Sequence, residues 1–223
     1  MERRQKNPLV YLFPPATGAV AAAVVLIPAG TCDLPFVWAY AAVCGLLAFA
    51  GQRKIHPELI RRRFEDGLRR RSPLVIAGQL AMWTHLILAG LDIGRFHWSD
   101  SVPIPLRIVG LLGFAAGMGF TMWAMAVNQF FIPTVEVQSD SGHHVISTGP
   151  YGIVRHPGYT GMLLGVLSSG FALGSWIAFI PIAFITIGIL IRVMLEDRFL
   201  RANLEGYETY SGRVRHRLVP WIW

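Results

Sequence analysis

The sequence predicts an all-α integral membrane protein with about six transmembrane helices. Its 223 residues are 53% hydrophobic and only 15% charged, whereas charged residues make up about 25% of an average soluble domain. Several apolar stretches approach the length of about 20 residues that a helix needs to cross a bilayer. We divide the chain into residues 1–107, which hold the N-terminal helices and a basic loop, and a C-terminal region of residues 108–223.

The apolar stretches give the individual spans. The first four cover residues 10–29, 34–50, 73–91 and 108–127. The first is longer than the apolar part of a signal peptide, about 7–15 residues, and further spans follow it, so we interpret it as a membrane helix. Residues 160–191 are too long for one span and are interrupted by Gly170 and by Gly174-Ser175, which predicts a tight helical hairpin.

The distribution of basic residues predicts the topology. With six spans and both termini in the cytoplasm, only Arg95 and Arg107 of the 20 basic residues lie on the opposite side, as the positive-inside rule requires. Residues 53–71 hold eight of the cytoplasmic ones, and we interpret this loop as a topology signal rather than a binding site. The net charge of +7 is then explained without a nucleic-acid partner, and none is expected.

Two features inside the spans suggest function but are better explained by packing. His85 lies within the third span, and we interpret it as a hydrogen-bonded packing residue. Gly113, Gly117 and Gly119 resemble a nucleotide-binding glycine pattern, but no strand precedes them. Small residues in a membrane helix instead predict close packing against a neighbouring helix.

The chain is organised around a polar segment at residues 142–159, GHHVISTGPYGIVRHPGY. Pro150 and Pro157 fix the backbone and disfavour helix before them, so we expect a shaped loop. Irregular backbone at membrane depth is tolerated only where it is buried in protein or lines a wet cavity. The segment therefore predicts a pocket that opens to the cytosol in the C-terminal half of the chain.

Charged and imidazole groups near this segment allow more than one chemistry. His143, His144 and His156 lack a cysteine or a second metal-ligand motif, so no metal site is expected. Arg192 and Glu196 are four residues apart and share one helix face. They fit a helix-end pair with the arginine reaching the headgroups. They equally fit a guanidinium for an anionic substrate beside a carboxylate for a polar cofactor.

Four segments in fixed order, GHHVISTGPYGIVRHPGYTG, RVMLEDRFL, YETYSGRV and RLVPWIW, resemble the isoprenylcysteine carboxyl methyltransferase family and its phospholipid-methylating relatives. The resemblance covers roughly residues 108–223. It implies that S-adenosylmethionine binds in a cytosol-facing pocket of the C-terminal half. It also implies a lipophilic substrate, a small molecule or a prenylated one, that enters from the bilayer.

The resemblance also implies roles for individual residues. Arg192 faces the substrate carboxylate, and Arg192 and Glu196 are the catalytic pair. The implied cofactor-binding residues are Gln138, His143, His144, Val145, Ile146, Tyr151, His156, Pro157, Gly158, Tyr159 and Glu196. The chain has Glu196-Asp197 where the family usually has two glutamates, and His144 where a threonine is common. These departures bear on the substrate more than on the cofactor.

The predicted function is S-adenosylmethionine-dependent methylation of a lipophilic acceptor at the cytoplasmic side of the cell membrane, with carboxyl O-methylation as the reaction. A carboxylate acceptor needs alignment rather than a base, whereas an amine or hydroxyl acceptor would need His156 or Glu196 as the base. N-methylation of a phospholipid amine is therefore an alternative. A sterol reductase that uses NADPH and shares an R-H-x-x-Y pattern, and a non-enzymatic membrane scaffold, also remain open. Pro157 and the pair of Arg192 and Glu196 favour the methyltransferase.

Overall fold

The computed structural model describes residues 9–55, 59–60, 73–132, 136–137 and 142–223, with side chains from residue 16 onwards. Within these residues the chain forms α-helices and no strand. The helices are α1 (Leu9–Ala29), α2 (Pro35–Lys54), α3 (Pro73–Leu91), α4 (Ile104–Val127), α5 (Pro157–Leu173), α6 (Phe179–Asn203) and α7 (Tyr207–Arg213). Gln138 and most of the basic loop 53–71 lie outside the described residues.

Four of these helices are long and apolar enough to cross a membrane. They are α2, α3 with the short π-helical turn that follows it to Phe96, α4 and α6. The chain is also helical where the other two spans were predicted, in α1 and α5. However, α5 has only 17 residues, and the part of α1 with described side chains, Ala16–Ala29, is shorter than a span. An all-helical membrane protein is therefore confirmed, while the count of six spans stays a prediction.

The predicted hairpin breaks at Gly174. Its φ of 78° lies in the left-handed region, and its N–H donates to the carbonyls of Gly170 and Phe171. Glycine adopts this conformation without strain, which makes it a common helix terminator. Residues 160–191 therefore form two helices, α5 and α6, as the glycine positions predicted.

Two helix starts differ from the prediction. The polar segment was predicted to be a loop through Tyr159, but α5 begins at Pro157. Proline is favourable in the first turn of a helix because its φ is already helical and its missing N–H would have no helical acceptor. For the same reason α4 begins at Ile104, with Pro105 in its first turn, rather than at residue 108. The irregular part of the motif thus ends at His156.

Helices α4 and α5 pack closely through glycines. A Cβ on Gly117 would lie 2.4 Å from the nitrogen of Gly165, and one on Gly161 would lie 2.4 Å from the oxygen of Gly117. A Cβ on Gly113 would also clash with α5, whereas one on Gly119 would meet nothing within 4 Å. The packing prediction is confirmed for Gly113 and Gly117 and wrong for Gly119. This close contact holds the start of α5 beside the end of α4.

The bundle has two distinct ends. The motif end consists of residues 142–156, the C-terminal part of α6 and residues 204–223. The far end consists of the α1–α2, α3–α4 and α5–α6 connections. At the far end, Arg107 donates to the carbonyl of Leu173 at 3.2 Å, and the guanidinium of Arg95 lies against Gly30. The two basic residues predicted to share one side of the membrane therefore share one end of the bundle.

Candidate active site

The motif end is built around a buried ion pair between Arg155 and Asp197. The Arg155 Nε donates to Asp197 Oδ1 at 2.7 Å and Nη2 donates to Oδ2 at 3.2 Å, with both side chains at most 3% exposed. Such two-pronged pairs fix orientation as well as charge. Asp197 also accepts from Arg217 Nε at 3.0 Å and from the Tyr207 hydroxyl at 3.1 Å. One carboxylate thus joins the motif, α6, α7 and the chain's last residues.

Arg155 also holds the segment that follows α7. Its Nη1 donates to the carbonyls of Val214 and Arg215, both at 2.8 Å. The backbone N–H groups of Arg155 and His156 donate to the carbonyls of His216 and Arg217, both at 2.9 Å. Residues 214–217 therefore lie along the motif and hold its backbone in place. No local pattern in the sequence indicates this role, because the partners are about 60 residues away.

A polar cavity with a free volume of about 80 Å³ lies beside this ion pair. Most of the residues predicted to bind a cofactor line it. They are His143, His144, Val145, Ile146, Tyr151, His156, Tyr159 and Glu196. The motif and α6, which are distant in sequence, therefore meet at one cavity.

Pro157 and Gly158 do not line this cavity, although they were predicted to be cofactor residues. Both are buried in the first turn of α5. The carbonyl of Gly158 accepts from Thr121 Oγ1 of α4 at 3.2 Å, and a Cβ at Gly158 would lie 2.3 Å from the Phe131 ring. This turn therefore packs against α4 and Phe131, and a cofactor-binding role for Pro157 and Gly158 stays a prediction.

Other residues line the polar cavity without having been predicted. They are Asn128, Phe130, Phe131, Ile132, Glu136, Arg155, Leu200, Leu204, Tyr207 and Tyr210. Tyr207 and Tyr210 are three residues apart in a Y-x-x-Y pattern, which places them on one helix face. That spacing was a usable signal. The lining residues between Asn128 and Glu136, which follow α4, show no sequence pattern that would have predicted their position.

Buried phenols form much of the cavity wall. Burial raises the pKa of Tyr151, Tyr207 and Tyr210, and the charge of Asp197 raises that of Tyr207 further. These hydroxyls therefore stay protonated and donate hydrogen bonds. The Tyr210 hydroxyl donates to the carbonyl of Tyr151 at 2.7 Å, and Asn128 Nδ2 donates to the Tyr151 hydroxyl at 3.1 Å. The wall is thus tied together by uncharged donors.

Two of the three histidines of the motif contact the ring of Phe130. The ring centroids of Phe130 and His143 are 4.3 Å apart, and His144 meets Phe130 edge-on at 5.2 Å. Burial, and then the nearby His144, lower the pKa of His143, so its imidazole is neutral near pH 7. In the part of the chain that the structure describes, no three His, Cys, Asp or Glu side chains form a group that could hold a metal ion.

A second, apolar cavity lies within the helix bundle, with a free volume of about 480 Å³. It is walled by α2, α3, α4, α5 and α6 and by residues 131–132. Among its lining residues are Met82, Phe114, Met118, Met162, Val166 and Ile189. Phe131, Ile132 and Tyr159 line both cavities, so the two are neighbours.

Tyr159 stands between the predicted catalytic residues. Its hydroxyl donates to Glu196 Oε2 at 2.7 Å and accepts from Arg192 Nε at 2.5 Å. Arg192 Nε and Glu196 Oε2 are 3.8 Å apart, which is longer than a hydrogen bond. Arg192 lines the apolar cavity and Glu196 lines the polar one. The two residues therefore belong to different cavities and are connected through one phenol.

These features define a helical membrane protein with a polar cavity at one end that adjoins an apolar cavity among its helices. Residues 106–205 match the phospholipid methyltransferase family. This match confirms the resemblance inferred from the motifs and covers α4, the motif, α5 and α6. The fold and the match together support a membrane methyltransferase.

Two relatives are similar over longer stretches. The chain is 23% identical over 165 residues to the cobalt-zinc-cadmium resistance protein CzcN of Cupriavidus metallidurans, which covers 71% of this chain and 68% of the relative. It is 23% identical over 132 residues to the nickel-cobalt-cadmium resistance protein NccN of Alcaligenes xylosoxydans xylosoxydans, covering 58% of this chain and 57% of the relative. The chain thus spans little more than half of the second protein.

Proposed function

We propose that the chain is an S-adenosylmethionine-dependent methyltransferase of the membrane that methylates a carboxylate on a lipophilic acceptor. The observation that carries this proposal is the placement of Arg192 and Glu196 in adjoining cavities on either side of Tyr159. An apolar acceptor and a polar cofactor would then meet at the Tyr159 boundary.

The apolar cavity suits the acceptor. Its free volume of about 480 Å³ lies within the range of about 300–1,000 Å³ typical of ligand pockets. At its motif end is Arg192, whose side chain is 13% exposed. A guanidinium binds carboxylates through paired, charge-assisted hydrogen bonds that work best away from water. The cavity therefore offers apolar contact for a chain and a cation for an acidic head.

The polar cavity has the chemistry that S-adenosylmethionine requires. The carboxylate of Glu196, 24% exposed, suits hydroxyl or ammonium groups. The rings of Phe130 and Tyr151 offer faces for a base or a sulfonium cation. When bound, the cofactor supplies an electrophilic methyl group. Because the free volume is about 80 Å³, below that of typical ligand pockets, side chains have to part on binding, and the stacked pair of Phe130 and His143 fills part of the space.

The transfer balances without a base. A bound S-adenosylmethionine would supply the methyl group, and a carboxylate oxygen of the acceptor, which carries no proton, could accept it directly. No proton moves in this step. The chain's own residues would supply position: Arg192 would orient the carboxylate, and the buried ring of Tyr159 lies where the two cavities adjoin. Alignment of this kind replaces translational entropy and is the main source of acceleration for such a reaction.

N-methylation of a lipid amine is the second candidate, because the matching family is named for phospholipids. An amine acceptor has to lose a proton, and two groups stand near the boundary. His156 Nδ1 and Glu196 Oε1 are 3.9 Å apart. A cation at the acceptor end favours the carboxylate, however, because Arg192 would repel an ammonium. The relatives' names refer to metal resistance and identify no acceptor.

Calorimetric titration of the purified protein with S-adenosylhomocysteine and with NADPH tests the class. We expect binding of the first and not of the second. NADPH binding alone would point to a reductase, and binding of neither would point to a scaffold. Membrane lipids incubated with S-adenosylmethionine carrying a radiolabelled methyl group then identify the product. A methyl ester releases labelled methanol in alkali, whereas an N-methyl group does not.

A further inference from the structure

We propose that Ser169, supported from behind by His85, forms the closed end of the apolar cavity and thereby limits the length of the chain that the acceptor carries. This inference rests on the proposed function, because it concerns the acceptor of the same reaction. It also gives a role to a buried histidine that neither the polar cavity nor the catalytic pair uses.

The apolar cavity is a slot that runs along the helices. On α5 it is lined by Tyr159, Met162, Val166 and Ser169, which repeat at helical spacing along one face. Ten residues separate Tyr159 from Ser169, which corresponds to about 15 Å along the helix axis. This depth is about half of the roughly 30 Å thickness of the hydrocarbon core. The slot therefore ends inside the membrane.

The inner part of the slot is enclosed. Its walls there are Tyr40, Phe114, Val166, Ser169 and Ile185, and each is at most 8% exposed. The Tyr40 and Phe114 rings stack at 4.3 Å and complete this wall. A chain that fills the slot has its tip among these buried side chains. Small differences in its length are then felt as lost contacts or clashes.

Ser169 is held in place by His85 of α3. The two side chains are 3.0 Å apart at Ser169 Oγ and His85 Nε2, and His85 Nδ1 is 3.1 Å from the carbonyl of Met82. The Ser169 hydroxyl also lies 2.6 Å from the carbonyl of Val166 on its own helix, so its single hydrogen is shared between that carbonyl and His85 Nε2. His85 is fully buried and does not line the cavity. It therefore stands directly behind the end wall and links α3 to α5.

A buried polar pair is costly among apolar side chains unless its hydrogen bonds are made. The His85 imidazole has a partner at each ring nitrogen, Met82 at one and Ser169 at the other. These two contacts fix the orientation of the ring, so it cannot rotate away from the end of the slot. A purely apolar wall would yield to a longer chain by repacking. The contact between His85 and Ser169 makes the end of the slot rigid, so a chain longer than the slot does not fit.

The test uses fatty acids of increasing length as probes, from octanoate through laurate to palmitate. Their affinities for the purified protein are measured by displacement of a fluorescent fatty acid. His85→Ala opens space behind the wall, so the preferred chain should become longer. Ser169→Leu fills the end, so it should become shorter. We expect a change of about fourfold in relative affinity for each methylene group that gains or loses its place.

Two further variants serve as a neutral control and as a replacement for Ser169→Leu. Thr84→Ala alters an exposed residue next to His85 on the same helix and should leave the order of affinities unchanged. Val166→Leu adds bulk in the same inner wall and should repeat the shift of Ser169→Leu if that variant does not fold. Because the polar cavity is separate, affinity for S-adenosylhomocysteine should stay unchanged in every folded variant.

The outcomes separate the two proposals. An unaltered order of fatty-acid affinities in variants that still bind S-adenosylhomocysteine overturns the length limit and leaves the proposed function standing. If the wild-type protein binds S-adenosylhomocysteine but no fatty acid of any length, the length limit is overturned and the carboxylate acceptor loses its support, while the methyltransferase class stands. If the wild-type protein fails to bind S-adenosylhomocysteine, the proposed function itself fails.

Discussion

Two buried aspartates at opposite ends of the bundle are stabilised in different ways. At the far end, Asp92 accepts hydrogen bonds at Oδ2 from the hydroxyls of Ser99 and Ser175. At the motif end, Asp197 accepts from guanidinium groups, among them Arg155 and Arg217. Both aspartates are at most 1% exposed. The same buried group thus has neutral donors at one end and positive charges at the other.

The difference separates a structural connection from a site. Ser99 also accepts from the backbone N–H of Trp176 at 2.8 Å, so the Asp92 network ties the turn after α3 to the turn between α5 and α6. It contributes to neither of the two cavities described above. The Asp197 network holds four segments around the polar cavity. Charged networks are rigid and directional, which suits a wall that has to keep its shape for a ligand.

The largest expected contrast between the two ends is their accessibility. Cys32 is exposed at the far end, and Thr148 is exposed at the motif end. If the motif end is cytoplasmic, a membrane-impermeant maleimide should label Cys32 in intact cells. It should not label Thr148→Cys in a Cys32→Ala background, and inside-out vesicles should reverse the result. Labelling of both cysteines from the same side would contradict the topology.

Removing each aspartate's charge should separate the two networks energetically. Asp197→Asn leaves several cations around a neutral amide and should lower the free energy of unfolding by about 3–5 kcal/mol, the scale for breaking a buried charge pair. Asp92→Asn keeps an oxygen that accepts from the serine hydroxyls and should cost about 1 kcal/mol. Thermal unfolding in detergent, followed by tryptophan fluorescence, measures both. Equal losses would mean that the motif-end network is no more than a second structural connection.

The sequence predicted the helices better than the networks. Membrane helices such as α3 and α6 follow from local length and hydropathy, and the break at Gly174 follows from one residue's conformational freedom. The polar cavity was predicted in part, because His143, Tyr151 and Tyr159 lie in one continuous motif. The bond between Arg155 and Asp197 joins residues 42 positions apart, and no periodicity encodes such a pairing.

Helical spacing was informative but incomplete for the predicted catalytic pair. It placed Arg192 and Glu196 on one face of α6, which the structure bears out. It could not show that a phenol from α5 lies between them, because that contact depends on how α5 and α6 pack. Helical spacing therefore does not distinguish a helix-end pair from two separate roles for Arg192 and Glu196. The structure places the two residues in different cavities, and substitution of each residue tests the roles.

Substitution of Arg192 and Glu196 tests whether the two cavities have separate ligands. Arg192→Ala should leave S-adenosylhomocysteine affinity nearly intact and lower turnover by about 10²-fold or more, because the acceptor loses its alignment. Glu196→Ala should weaken the cofactor by about 1.5–3 kcal/mol, the contribution of a hydrogen bond to a charged group. Calorimetric titration and single-turnover rates on both variants measure the two effects. Small and equal effects would assign the pair to helix stability alone.

Tyr159→Phe gives the smallest expected effect and tests the boundary itself. The ring stays, so the wall between the cavities is kept, but Glu196 and Arg192 lose their shared hydroxyl. Of the two hydrogen bonds lost, only the one to Glu196 bears on the cofactor, and it acts indirectly by positioning the carboxylate. S-adenosylhomocysteine affinity should therefore fall by about 0.5–1.5 kcal/mol, the contribution of an ordinary hydrogen bond. Tyr159→Ala should weaken it by a further 0.5–1.5 kcal/mol or so, because the aromatic contact is also lost.

The matched control for Tyr159→Phe is Tyr40→Phe. Tyr40 is a buried tyrosine deep in the apolar cavity, far along the bundle from Glu196, and its substitution should leave S-adenosylhomocysteine affinity unchanged. If Tyr159→Phe binds S-adenosylhomocysteine as tightly as Tyr40→Phe does, the hydroxyl does not position Glu196 for the cofactor. If both Tyr159 variants also turn over at the wild-type rate, methyl transfer does not take place across this boundary, because neither the ring nor the hydroxyl could then lie between the reacting groups.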